Sequence, residues 1–338
     1  DAGNIDITNS GTIKANAGTG AIGIYANNNK IGGTIDDSKI NLSTGTINVS
    51  ASNGGIGVYV NKGTVTDAGS TITVGKNGIG IYAKDSRLNL NNTRIDLNGD
   101  NSLGLYLDGT TSLDGTGGTI NIAGRNIVLF NIASSGSFSN NFTVGTVAAG
   151  SSYSLVNIVS RGFTYTGVTN LGSNGTFVSG QGSGVFLNGS TITSSLGSTG
   201  VAAIALDGQY AGTVTGMTPD IDGENDGTIT LGDSSVGIYG KNGTRLSNLK
   251  TINVGDASAG IMTSGADSKA INKGTITLGA GSQGIYMKDG KIMQNKGLIK
   301  SSGAGTVGMY ANNVSDPIVN EGTIQLTGEK SIGIYKIG

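Results

Sequence analysis

The sequence contains no cysteine, no histidine and no tryptophan. Without Cys there is no disulfide, no thiolate nucleophile and no thiolate metal ligand, and without His there is no imidazole to bind metal or to carry protons near neutral pH. Most catalytic templates fail on those two absences. A chain that must cross membranes unfolded also avoids premature cross-links by carrying no Cys. No apolar run of about 18 residues occurs, and no basic-then-apolar stretch opens the sequence, so neither a membrane span nor a signal peptide is expected within these residues. Charge is scarce and balanced: 21 Lys and Arg against 22 Asp and Glu leave a net −1, which gives no field to draw nucleic acid or an anionic membrane. Between Asp114 and Asp207 the charged side chains are Arg125 and Arg161 alone, and no Lys falls between Lys84 and Lys241. The middle of the chain is therefore neutral and rich in hydroxyls.

Proline is nearly absent too, with 2 in 338 residues, whereas glycine is abundant at 61. That balance suits many short strands joined by tight turns. The glycines follow no three-residue period, which excludes collagen. The 36% of hydrophobic residues include Ile, Val and Leu at regular intervals, which argues for an ordered core.

Those intervals define a repeat of two main parts. The first reads Thr-Ile-x-Val/Leu, as at Thr46-Ile47-Asn48-Val49, Thr71-Ile72-Thr73-Val74, Thr228-Ile229-Thr230-Leu231 and Thr275-Ile276-Thr277-Leu278. The second reads apolar-Gly-apolar-Tyr, as at Ile22-Gly23-Ile24-Tyr25, Ile56-Gly57-Val58-Tyr59, Leu103-Gly104-Leu105-Tyr106 and Val236-Gly237-Ile238-Tyr239. Second-part positions 59, 82, 106 and 130, and again 239, 262, 286, 310 and 335, recur every 23–25 residues. A weaker third apolar site stands at Leu88 and Leu90, Leu246, Ile271, Ile292, and Ile318 with Val319. Three short strands per repeat, linked by Gly, Asn and Asp turns, describe one coil of an all-β, right-handed, three-sided parallel β-helix, or β-solenoid. At about 24 residues per coil the chain would make about 14 coils and, at the usual strand spacing, a rod about 65 Å long.

Side-chain alternation sets the expected facing: if Ile22, Ile24 and Ala26 point inward, Gly23 and Tyr25 point outward. The same parity in every coil stacks Ile on Ile inside and Tyr on Tyr outside. In seven coils an Asn stands four residues before the isoleucine of the first part, at Asn9, Asn91, Asn225, Asn248, Asn272, Asn295 and Asn320. Asn tolerates left-handed turn geometry, and stacked amides can hydrogen-bond along the axis. The whole of 1–338 reads as one β-helical body with one departure. From 131 to 180 the Tyr motif disappears, and all six Phe lie in or beside that stretch, which reads either as atypical coils or as a projecting insertion.

Motifs that suggest chemistry dissolve into this architecture. Gly18-x-Gly20-x-x-Gly23 and Gly303-x-Gly305-x-x-Gly308 match a dinucleotide fingerprint, but β-period sequence follows where a helix is required. Asp220, Asp222, Glu224 and Asp226 could supply oxygens to calcium, yet they match no calcium-loop spacing and read more simply as a solvated loop. Asp36-Asp37 is the one adjacent acidic pair and lacks a repeat-spaced companion for glycan cleavage. Outward Thr-x-Thr pairs suggest ice binding, but Asn, Arg, Asp and Lys interrupt the column. The outer tyrosines could stack on sugars or anchor a protein; their plainer role is to stack on one another and seal the face. Candidate ligand-binding residues are Phe138, Phe142, Arg161, Phe163 and Tyr165 in the irregular segment and Tyr286, Tyr310 and Tyr335 in the outer column. No catalytic residue, cofactor or metal is expected.

Tandem Asn-x-Gly-Thr-Ile-x-Leu followed ten or eleven residues later by Gly-Ile-Tyr resembles the passengers of large fusobacterial type V autotransporter adhesins. The resemblance covers nearly all of the chain except 131 to 180. It implies a passenger fragment exported through the outer membrane to the bacterial cell surface, or released, with the signal peptide and C-terminal barrel lying elsewhere. It further implies attachment to host cells, through a glycan or protein receptor, or to partner bacteria. A self-sufficient coil of 24 residues suggests a monomer that does not itself insert into membrane. The alternatives are a β-helical polysaccharide lyase or glycoside hydrolase, and a trimeric adhesin head.

Overall fold

A computed structural model of the chain describes residues 5–15, 18–28, 38–134 and 142–338. Among them there is no helix, and the strands pair in parallel as a β-solenoid of about twelve turns with three sheets. The count falls short of fourteen because some coils are long: 34 residues separate Asn27 from Asn61 on paired strands, and 34 separate Val201 from Ser235. The chain divides into two compact units, Asp1–Asn157 and Ile158–Gly338.

In the first unit the Thr-Ile strands stack in register, with Ile13 against Ile47, Ile72, Ile95 and Ile120 in successive coils. In the second, Ile192, Ile229, Ile252, Ile276, Ile299 and Ile324 do the same. Apart from Ile13 and Ile324 at the two ends of these columns, which are half-buried, all of these isoleucines are fully buried. Each such side chain contributes roughly 1.5–3 kcal/mol, which lets neighbouring coils hold one another without cross-links.

The Tyr strands keep their register but not their expected facing. Along Ile56–Asn61, Ile56 is half-buried, Gly57 and Val58 are both buried, and Tyr59 is again half-buried. Alternation thus slips by one residue at the glycine, which points inward rather than out with the tyrosine. A Cβ on Gly57 would lie 2.5 Å from Ile72 Cγ2 and 2.6 Å from the Gly80 carbonyl oxygen. Only a residue without a side chain lets this strand fold down against the Thr-Ile strand.

Two further expectations are corrected by the register. Phe130 pairs with Leu105 and is buried, so the residue in the Tyr column is Asn131, opposite Tyr106. In the second unit the strands Arg245–Asn248, Lys269–Asn272 and Ile292–Asn295 make the third face of each coil, the third sheet of the repeat. Its inward column is Leu246, Ala270, Met293, while Ile271 and Ile292 are half-buried on the outside. The Asn column forms as expected over 225–320: the Nδ2 groups of Asn225, Asn248, Asn272 and Asn295 each donate to the Oδ1 of the next Asn at 2.8 Å. The described part of 131–180 also consists of coil strands. Thr143–Val147, Gly162–Tyr165, Val168–Leu171 and Gly175–Gln181 all pair in parallel with a neighbouring coil.

Candidate functional site

The outer tyrosines stand where the slip in alternation returns the strand to outward facing, so each lies above the one a coil below. Tyr25, Tyr59, Tyr82 and Tyr106 stack with centroids 4.9, 5.1 and 4.9 Å apart. In the second unit Tyr286 stacks on Tyr310 at 5.2 Å, and Tyr335 follows at 5.3 Å, tilted by 46°. Rings stacked in this way present their edges and hydroxyls outward, and the faces that a sugar would cover are largely occupied by neighbouring rings. Tyr335, 41% exposed, is the most open of the three candidates. The Tyr82 hydroxyl donates to Asp108 Oδ2 at 3.0 Å. Burial, followed by that bond and the carboxylate charge, pushes its pKa up to about 12.

The candidates of the irregular segment separate into different settings. Phe138 lies outside the described residues. Phe142 is buried edge-on against Phe130 at 5.8 Å. Phe163 and Tyr165 come together with Phe177: the first two rings stack at 6.5 Å, and Tyr165 tilts over Phe177 at 4.5 Å. By register Phe163 continues the inward column of Val185, and Tyr165 continues that of Leu187 and Asn225. Tyr165 therefore occupies the place of the Asn ladder, and its hydroxyl bonds there to Thr169 Oγ1 at 2.7 Å and the Val168 carbonyl at 3.2 Å. Both rings remain half-buried. Arg161, just before this strand, donates its backbone N–H to Ser183 Oγ at 3.4 Å.

The acidic stretch is a clasp rather than an open loop. Residues 208–222 fold over the outside of the third sheet, where Tyr210 lies across Gly184 closely enough that a Cβ there would sit 2.6 Å from its ring. Asp222, fully buried, accepts from Arg245 Nη2 at 2.6 Å and Nε at 3.0 Å and from the backbone N–H groups of Arg245 and Tyr210. The same bond holds the Arg245 guanidinium more firmly protonated than usual. Glu224, also buried, accepts from the Thr218 N–H at 2.9 Å, and Asp226 pairs with Lys250. Asp220 shares Arg245 with Asp222, whereas Glu224 and Asp226 face other partners, and among the described residues no three Asp or Glu side chains converge in a way that could hold a metal ion. Asp36 and Asp37 lie outside the described residues. The clasp escaped sequence reading, though its signal was present: Arg245 follows Asp222 by 23 residues, one coil.

No protein-family model matches the chain, and neither a curated protein nor a solved structure shows significant similarity to it.

Proposed function

We infer that this chain is a surface-exposed bacterial adhesin segment, a β-solenoid scaffold that mediates or supports attachment to host cells or to other bacteria and turns over no substrate. The observation that carries this reading is the coil-by-coil repetition of one residue type along an exposed face. The stacked tyrosines of Tyr25 to Tyr106 continue from coil to coil, and outward threonines recur beside the Thr-Ile isoleucines at Thr12, Thr46 and Thr71 before Arg94 interrupts them. Catalysis concentrates unlike groups at one point, whereas a scaffold that displays binding surfaces repeats like groups along its length. The Asn-x-Gly-Thr-Ile and Gly-Ile-Tyr repeats point the same way through their resemblance to autotransporter passengers.

The test combines location with contact. Antibody raised against the chain is expected to label intact producing cells, and the purified chain is expected to bind epithelial cells or partner bacteria in a saturable way. Labelling confined to permeabilised cells sinks the reading.

A further inference from the structure

The first unit has a polar groove on the outside of its Thr-Ile sheet. It forms where the strands Arg87–Leu97 and Ser112–Ile122 turn a corner of the coil, with register shifts on either side of Asn91. Such bulges bend a strand and re-aim its outer side chains. The groove encloses about 530 Å³, within the range that takes a small ligand. Its walls are Asn92, Thr116, Thr119, Asn121, Thr143 and Thr146, and nothing larger than a threonine methyl makes it apolar. A lining of hydroxyls and carboxamides offers donors and acceptors together, which matches sugar hydroxyls better than an apolar drug-like ligand or a peptide side chain.

One cation enters this groove. Arg94 stands at an outward position where the neighbouring coils carry Thr71 and Thr119. Its Nε donates to both Asp96 oxygens, at 2.9 and 3.1 Å. Asp96 Oδ1 in turn accepts from Asn121 Nδ2 at 2.7 Å, and Asn121 Oδ1 accepts from the Thr146 N–H at 2.9 Å. This relay fixes the guanidinium by its Nε edge. Among the described residues its two Nη groups make no hydrogen bond, and the side chain is 58% exposed. An exposed pair of this kind contributes little to stability, about 0–1 kcal/mol, so folding gives no reason to place Arg rather than Thr here. A held guanidinium with two free parallel donors suits a carboxylate.

We propose that the Arg94 groove binds an acidic sugar residue, its carboxylate on the Nη groups of Arg94 and its hydroxyls on the surrounding Thr and Asn side chains. A similar combination recurs in the second unit, where Lys300 lies among Thr277, Ser301, Gln325 and Thr327 in a groove of about 470 Å³. Lys lacks the fork, so that groove serves as the comparison within the same chain. The inference stands on the groove alone and does not need the chain to be displayed on a cell.

The experiment titrates the whole chain with three methyl glycosides, those of N-acetylneuraminic acid, glucuronic acid and glucose, with binding read by saturation-transfer NMR and calorimetry at low and high salt. At least one acidic glycoside is expected to bind in the millimolar range, more weakly as salt rises, while the neutral glucoside does not. Which acidic glycoside binds separates sialic from uronic acid. Arg94→Gln is expected to weaken binding roughly tenfold or more, Arg94→Lys by less, and Lys300→Gln not at all, with unchanged circular dichroism in each. Binding of glucoside as tight as the acids, loss with Lys300→Gln but not Arg94→Gln, or no acidic glycoside bound would each overturn the proposal.

Discussion

Within the second unit, the coils of 223–326 and those of 162–207 solve the same packing problem differently. In the former the Tyr strand carries Gly237, Gly260, Gly284 or Gly308 inward and Tyr239, Met262, Tyr286 or Tyr310 outward. In the latter the corresponding inward places hold Phe177 and Ala203, both buried, and the outward places hold Ser179 and Ala205. The third sheet changes in parallel, with Phe163 and Tyr165 in the columns that elsewhere hold Leu246 and Asn248. Aromatic volume has moved from the outer column to the interior. A solenoid allows this because each coil answers only to its neighbours, so a local exchange of large for small need not propagate.

The largest expected effect breaks the device that separates these two regions, the 208–222 loop and its clasp. Arg245→Met leaves the buried Asp222 carboxylate without its counter-charge and is expected to destabilise the protein by about 3–5 kcal/mol in chemical denaturation. Adding Asp222→Asn should restore much of the loss, since the cost lies in an unpaired buried charge rather than in the pair itself. Hydrogen exchange should show residues 208–222 opening first. A single variant as stable as the parent would mean that the loop is held by Tyr210 and Val214 packing instead.

The next variant tests whether the inward glycine is required where aromatics remain outside. A Cβ on Gly284 would sit 2.5 Å from the Gly308 carbonyl oxygen and 2.7 Å from Ile299 Cγ2. Backbone cannot give way as a flexible side chain can, so Gly284→Ala is expected to cost about 3 kcal/mol, at the top of the overpacking range. The reverse change, Ala203→Gly, should cost only about 1 kcal/mol for the lost methyl and added chain freedom. Equal losses at the two sites would contradict the packing difference between the regions.

How far this contrast was readable beforehand depends on which residues carried it. Period and fold followed from Thr-Ile-x-Val and Gly-Ile-Tyr, because a solenoid writes its core into the sequence once per coil. The Asn column was legible for the same reason over 225–320, whereas Asn9 stands in register with Leu42 and Asn91 sits at a bulge opposite Gly117, so those two expected members form no ladder. The inward turn of Gly57 was not, since strict alternation is a rule for straight strands and this strand slips where two sheets close together. Phe130 was placed one residue off because its coil is longer, with Asn131 answering to Tyr106. Among the candidate ligand residues, the tyrosine run of 286–335 was visible as a column. The inward placing of Phe163 and Tyr165 was not, because nothing in their spacing tells an outer ring from one that replaces an Asn. The Arg94 groove was equally hidden, since it depends on a bulge that only the pairing of neighbouring coils reveals.

A smaller effect sharpens the exchange of Asn248 for Tyr165. Asn272 lies in the middle of the ladder, fully buried, accepting from Asn248 and donating to Asn295 and, at 3.2 Å, to the Gly274 carbonyl. Asn272→Ala strands an amide on each side and should cost about 2 kcal/mol. Thr169→Val removes one of the two partners of the Tyr165 hydroxyl and leaves the Val168 carbonyl, so its cost should be well under half of that. Thermal melts of the two variants decide whether Tyr165 stands in the ladder position as a hydrogen-bonding element or chiefly as a filler of volume.

The smallest effect belongs to the outer column that the 162–207 coils have given up. Tyr82 is half-buried between Tyr59 and Tyr106 and donates to Asp108, and its pKa of about 12 lies above the ordinary 10.0. A phenol whose folded pKa is raised keeps its proton while the unfolded chain has begun to lose it. Its contribution to stability is therefore complete below about pH 10 and is lost as the pH rises toward 12. Ultraviolet titration should show one phenol ionising late. Asp108→Asn should bring it down part of the way, because burial, the larger cause, persists when the carboxylate charge is gone. An unchanged titration in that variant would make the Tyr82–Asp108 bond incidental and leave stacking alone to account for the order of the column.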